Sequence, residues 1–221
     1  MLQRLVILGA GGNAYDLLDT VEAINKTAPT WAVVGLLDDR REVGTDYLGM
    51  PILGPLAKAT EFAAGCSFIS SIWNESTSRR LHEIIASTGL RSTDFTNVFH
   101  PDASVSRRAR FAHGVVMHHG ASVAGNVTIG DQVSIGPGCI IGHDTTLAGR
   151  TTVAAGAIIS GGVKVGSNCY IGSGSVIRQH IEIGDGAVIG MGAVVVKDVE
   201  AGSTVVGNPA RPLSCFSHPS A

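Results

Sequence analysis

From Phe99 onward an apolar residue recurs at every sixth position without a break. The series runs Phe99, Val105, Phe111, Met117, Val123, Ile129, Ile135, Ile141, Leu147, Val153, Ile159, Val165, Ile171, Ile177, Ile183, Ile189 and Val195. Four residues after each stands Ala, Val, Cys, Thr or Ser, with Ile181 the one bulkier member. A fixed period sustained this long marks a solenoid. One aliphatic and one small side chain per hexad describe a tightly wound interior, in which each coil buries its inward residues against its neighbours.

Residues 1–98 follow another rhythm. Leu5-Val6-Ile7-Leu8 is a short apolar run ending in Gly9-Ala10-Gly11-Gly12-Asn13, after which Leu17, Leu18, Val21 and Ile24 fall at helical spacing. A second run, Trp31 to Leu37, ends in Asp38-Asp39-Arg40. A third, Cys66 to Ile72, leads into Asn74-Glu75-Ser76 and a helix carrying Leu81, Ile84 and Ile85. Strands alternating with helices predict a small parallel α/β domain of Rossmann-like form. The expected organisation is therefore an α/β domain over 1–98 and a solenoid over 99–200, and the resemblance of these hexads to the hexapeptide-repeat proteins implies that the solenoid is a β-helix with a closing loop and tail over 201–221.

Composition sharpens the division. Of 29 glycines in 221 residues, 9 lie in 1–98 and 20 in 99–221, and Tyr170 is the sole Phe, Trp or Tyr between Ala112 and Cys215. Glycine is needed where the solenoid turns tightly or takes positive φ. With 16 Lys and Arg against 18 Asp and Glu, no basic excess points to nucleic acid, and no apolar run reaches the roughly 18 residues of a membrane span. The apolar stretch at the N-terminus is too short for a secretory signal, which predicts a cytoplasmic protein. Cys66, Cys139, Cys169 and Cys215 lack disulfide or zinc spacing. Cys139 and Cys169 fall in the small inward column and read as packing residues. Trp31 and Trp73 are expected to pack the first domain, Arg107, Arg108 and Arg110 to form a solvated face, and Tyr170 to lie on the outer surface or at an interface.

The hexads resemble those of the hexapeptide-repeat acyltransferases, whose fold is a left-handed parallel β-helix with three hexads per coil, usually trimeric. If one coil is eighteen residues, as that resemblance implies, His143 stacks with Gly125, Gly161, Gln179 and Lys197, and Asp144 with Asn126, Gly162 and His180. Glycines on both sides of His143 would leave a notch for a ligand. A carboxylate beside an imidazole can select one tautomer and raise its basicity, the requirement for a general base.

The two-part layout, with its Leu48-Gly49-Met50-Pro51-Ile52-Leu53-Gly54 segment and Gly142-His143-Asp144, is similar to bacterial N-acetyltransferases of nucleotide-linked 4-amino sugars. It is similar also to the sialic acid O-acetyltransferases. The resemblance implies acetyl-CoA as co-substrate, a nucleotide-linked amino sugar as acceptor, a homotrimer, and no metal. It assigns catalysis to His143 and Asp144, and acetyl-CoA contacts to the backbone near Gly161, Ser173 and Met191. Nucleotide-sugar contacts fall to Gly11, Gly12, Asn13, Asp38 and Asp39. The chain departs from the family pattern at Asn13 and Thr152, where histidine is frequent, and at Gly142, where a polar residue is frequent.

Three other readings compete. Gly9-x-Gly11-x-x-Ala14 between strand and helix, with Asp38 and Asp39 beyond it, also suits a dinucleotide oxidoreductase, because a helix N-terminus binds any phosphate. His113, His118, His119 and His143 raise a zinc enzyme of the γ-class carbonic anhydrase type, which needs three converging ligands. A trimeric scaffold that senses a nucleotide is the non-catalytic reading. His118 and His119 are expected at a trimer interface, in the acceptor pocket, or in solvent.

Overall fold

A computed structural model describes residues 1–213, so Cys215 and the tail lie outside the described residues. The chain first builds β1 (Gln3–Leu8), α1 (Asn13–Thr27), β2 (Trp31–Leu37), β3 (Asp46–Tyr47), β4 (Met50–Gly54), β5 (Ser67–Ser70), α2 (Glu75–Ser78) and α3 (Leu81–Ser87). The sheet order is β3-β4-β2-β1-β5, and β1 is flanked on its two sides by strands that follow it in the chain. In an open parallel sheet such a reversal leaves a crevice beyond the carboxyl ends of the strands. The loops after β1, β2 and β5 meet there. β3 and β4 form an antiparallel hairpin at the sheet edge, which the apolar pattern did not predict. Its turn residues Leu48 and Gly49 both take positive φ, 59° and 75°, the backbone of a tight primed hairpin turn.

From Val98–Phe99 onward, two-residue strands pair in parallel with strands one coil away, as in Ile140↔Ile158 and Ile141↔Ile159. Eighteen residues complete a coil, and the strands assemble into three sheets that form the faces of a triangular prism, a left-handed parallel β-helix. The second residue of each strand points inward, and from Met117 to Val195 all of these are buried together with the small column. Burying a Val or Ile side chain is worth roughly 1.5–3 kcal/mol, so three inward aliphatics per coil supply the driving force without a large aromatic core. Cys139 and Cys169 are among them, and burial pushes both thiols up to about 11. They are packing residues without nucleophilic character at neutral pH. Beyond the coils, Thr204–Val206 pairs antiparallel with Arg211–Pro212.

The first residue of each strand points outward, and the three faces differ sharply. One presents Val98, Val116, Ser134, Thr152 and Val188, all buried, with Tyr170 half-buried. The α/β domain covers this face: Val98 and Val116 belong to the same apolar cluster as Leu5, Leu17 and Trp73. Arg79 ties the covering domain down, donating from Nε to Gly186 O (3.0 Å) and from Nη2 to Gly202 O (2.9 Å). The second face is polar and exposed, with Arg110, Thr128, Thr146, Lys164 and Glu182, the last two joined at 2.7 Å. The third is apolar, with Ile140, Ile158, Val176 and Val194; Ile140 is 48% and Ile158 36% exposed.

His119 is exposed, but His118 beside it is not the solvated histidine of one expectation. It is buried in the seam between the domains, with Nδ1 at 3.3 Å from Thr20 Oγ1 and its ring edge-on to Trp73. Burial lowers its pKa to about 4, so the ring is neutral at pH 7. Tyr170 lies on the covered face, where burial first and the charge of Glu75 second raise its phenol.

Candidate active site

Two constellations emerge, and they lie on different sides of one chain. The first is the crevice of the α/β domain, a cleft of about 830 Å³ lined by Gly9 to Asn13, Asp38 to Arg41, Ser71, Asn74, Thr77 and Arg80. Gly11 and Gly12 precede α1, and a Cβ added at either would meet nothing within 4 Å. The positive dipole end of the helix therefore opens onto the cleft, a setting suited to phosphate, while Ala14 N and Tyr15 N donate to Gly11 O (3.0 Å) and Gly12 O (3.1 Å).

The polar residues around it are less free than the sequence suggests. Asp38 accepts from Ala10 N through Oδ2 (2.7 Å) and from Arg40 N through Oδ1 (2.8 Å), so both oxygens hold the glycine loop in shape. Asp39 accepts from Leu56 N through Oδ1 at 2.8 Å. Asn13 Nδ2 donates to Trp73 O at 2.7 Å, tying α1 to the loop just after β5. Asp38 thus braces the cleft rather than presenting a free carboxylate to a ligand. Sequence reasoning missed the cationic and polar wall opposite: Arg80, Thr77 and Asn74, the last capping α2 by accepting from Thr77 N at 3.0 Å. A polar cluster after a strand end was the available signal. At the rim, Arg41 stacks over Tyr47 at 3.6 Å from the ring centroid.

The second constellation is the corner of the prism between the apolar and polar faces. His143 Nδ1 lies 2.7 Å from Asp144 Oδ2, and the His143 side chain is 72% exposed. The Asp144 carboxyl sits below the usual range, chiefly through the Asn126 amide and then through His143. An ionised Asp144 can accept from Nδ1–H, and in that tautomer Nε2 carries the lone pair, above Gly161. Gly161 lies directly against this ring: an added Cβ would stand 2.8 Å from Cε1 and 2.9 Å from Nε2. Gly125 does not share the role, since a Cβ there would meet Ser106 Oγ at 3.7 Å. The notch is one-sided. Above it, Arg178, Gln179, His180 and Lys197 line a groove of about 590 Å³ along the same corner.

Ser173 and Met191 lie on the other edge of the apolar face, where it meets the covered face, and Met191 is 78% exposed. Within one chain they are not brought together with His143 and Gly161. Among the described residues no group of three His, Cys, Asp or Glu side chains converges to hold a metal, and none of the helices is long and apolar enough to cross a membrane.

A parallel prism of hexads joined to an α/β domain, matched over nearly its whole length by acetyltransferases with CoA bound, is that of an acyltransferase carrying hexapeptide repeats. Residues 4–85 match the PglD N-terminal domain, and residues 144–179 and 162–197 match the bacterial transferase hexapeptide repeat. Among solved structures, the acetyltransferase domain of PglB from Neisseria gonorrhoeae FA1090 is 29% identical, with TM-score 0.83 over 96% of this chain and 100% of that one. A His-to-Asn variant of perosamine N-acetyltransferase from Caulobacter crescentus, in complex with CoA and GDP-perosamine, is 26% identical. It has TM-score 0.83 over 97% and 98% of the two chains. WeeI from Acinetobacter baumannii AYE is 26% identical, with TM-score 0.79 over 96% and 100%. No curated protein matches in sequence.

Proposed function

We propose that the protein is a cytoplasmic, homotrimeric N-acetyltransferase that moves the acetyl group of acetyl-CoA to the amino group of a nucleotide-linked sugar, a precursor of surface glycans. The observation that carries this reading is the His143–Asp144 pair at 2.7 Å, set over a glycine on an exposed corner. That two similar structures are acetyltransferases, one of them bound to CoA and GDP-perosamine, supports the substrate class.

The neutral amine attacks the thioester carbonyl, and His143 Nε2 accepts the proton the nitrogen sheds. The tetrahedral intermediate collapses with loss of the CoA thiolate, which takes up a proton as the thiol. Asp144 stays ionised and stabilises the imidazolium. Backbone N–H groups near Gly161 and Ser173 are suited to the oxyanion, because preorganised donors require no reorganisation as charge develops. With amine and thioester held together, one proton acceptor suffices and no acyl-enzyme is required. The cationic Arg178 and Lys197 groove suits the phosphates of CoA, and the α1 N-terminus with Arg80 the diphosphate of the sugar nucleotide.

Trimerisation would solve the separation of the two constellations. The cleft belongs to the domain covering one face, whereas His143 stands at the corner opposite that face. If the apolar face of each copy turns toward a three-fold axis, its two edges meet the unlike edges of its neighbours, as a closed heterologous ring requires. The His143–Gly161 edge of one copy then adjoins the Ser173–Met191 edge of the next, beside that neighbour's cleft.

The test is thiol release from acetyl-CoA in the presence of UDP-, GDP- and dTDP-linked amino sugars and their hydroxyl counterparts. Turnover on an amino sugar, lost by about 10²- to 10⁴-fold in His143→Ala, is expected. Turnover confined to hydroxyl acceptors, or full activity in the variant, contradicts the proposal.

A further inference from the structure

We propose that Asn126 is a positioning residue for the proton acceptor: its side-chain amide fixes the Asp144 carboxylate so that it holds Nδ1–H of His143 and leaves Nε2 open. This rests on the reading of His143 as the base. Asn126 lies one coil before Asp144, and its Nδ2 donates to Asp144 Oδ1 at 2.6 Å while Asp144 Oδ2 meets His143 Nδ1 at 2.7 Å. Each carboxylate oxygen therefore has its own partner, and the plane of the group is set.

The fixing matters because Asp144 is solvent-exposed, at 56%, and a second imidazole stands close to it. His180 sits over Gly162, one coil beyond Asp144 in the same column, and its charged form also favours an ionised Asp144. A carboxylate free to rotate would divide its time among His143, His180 and water. The imidazole of His143 would then sample both tautomers, only one of which presents a bare Nε2. The groups facing this pair are thus Asn126 on one side, His180 on the other and His143 beside it.

The backbone explains why an asparagine can serve. Asn126 and Asp144 both take φ 59°, Gly162 takes 70° and His180 59°, a left-handed column of the kind that Asn, Asp, His and Gly enter most readily. Of its short members Asn, Asp and Gly, only Asn supplies side-chain N–H donors. Its short side chain spans the ~4.8 Å between neighbouring strands of a sheet, which is the rise from one coil to the next.

Two variants keep the left-handed backbone and remove the donor: Asn126→Gly, which deletes the side chain, and Asn126→Asp, which replaces it by a second carboxylate of the same shape. The readouts are kcat, KM for acetyl-CoA, and the ¹⁵N NMR signals of the His143 ring in the substrate-free enzyme. In Asn126→Gly, kcat should fall about tenfold, with KM for acetyl-CoA held within about twofold, the loss expected for one hydrogen bond to an ionised, exposed group. The ring signals should change from one tautomer to a mixture. Asn126→Asp should lose at least as much activity. Parental kcat and ring signals in both variants overturn the proposal. The ring signals decide this whether or not His143→Ala abolishes turnover, so a failure here and a failure of the base assignment are told apart.

Discussion

The apolar and polar faces of the prism share one backbone, one period and one interior, yet they carry different consequences. The polar face sets Thr128, Thr146, Lys164 and Glu182 in water, with a Lys164–Glu182 pair that an exposed setting makes worth little. The apolar face sets Ile140, Ile158, Val176 and Val194 in the same position of the hexad, and among the described residues Ile140 and Ile158 stay exposed while Val176 and Val194 are half-buried. The third face shows what covering looks like, for there Val98 and Val116 are sealed by the α/β domain. The repeat thus fixes the interior, and the outward residue of each strand decides what each face meets.

The sharpest way to break this comparison is to charge the two faces separately. Ile140→Asp combined with Ile158→Asp should convert the protein to monomers in sedimentation and remove nearly all acetyl transfer, since buried carboxylates at an interface are strongly disfavoured. Thr146→Asp on the polar face should leave both unchanged. Equal effects at the two faces would end the distinction. A smaller effect is expected at the corner between them. Gly161→Ala places a methyl within 2.8 Å of the His143 ring, so the ring must shift, and kcat should drop about tenfold with trimer and cleft intact. An unaltered kcat would show that the ring has room to spare.

The smallest effect concerns the covered face. His118 has its pKa lowered to about 4 by burial in the seam, against Thr20 and Trp73, with Asp16, His119 and His100 acting on it from around the ring. Between about 6.5 and about 4 the unfolded chain binds a proton there that the folded chain does not, so stability falls as pH drops through that window. His118→Gln should flatten the fall in Tm between pH 6.5 and 4, as read by thermal denaturation at a series of pH values. A parallel fall in the variant would assign the pH dependence to other groups.

The β-helix was legible because its rule is local and repeated: seventeen hexads state the same inward choice, and even Ile181, the bulky member of the small column, is buried. The faces were partly legible, since outward residues recur at a period of eighteen. The corner carrying His143, Asp144 and Gly161 followed from the same stacking. What could not be read was anything set by long-range partners. His118 looked like a surface histidine because Thr20, which meets it, is 98 residues away. Asp38 looked like a ligand residue because nothing nearby in sequence shows that Ala10 N and Arg40 N occupy its oxygens. Gly125 shared a column with His143 but lies against Ser106, because stacking by coil fixes height along the prism without fixing which way a ring leans.

The claim on which the rest depends is that the base of one copy serves the cleft of its neighbour, and mixed trimers test it directly. One variant lacks the base, His143→Ala; the other blocks the cleft, Gly11→Trp. Each alone should be inactive. When equal amounts are unfolded and reassembled together, a site between copies gives each mixed trimer one intact base facing one intact cleft, so about a quarter of the parental activity should return. Activity no higher than that of the separate variants, in trimers shown to contain both chains, would contradict the account.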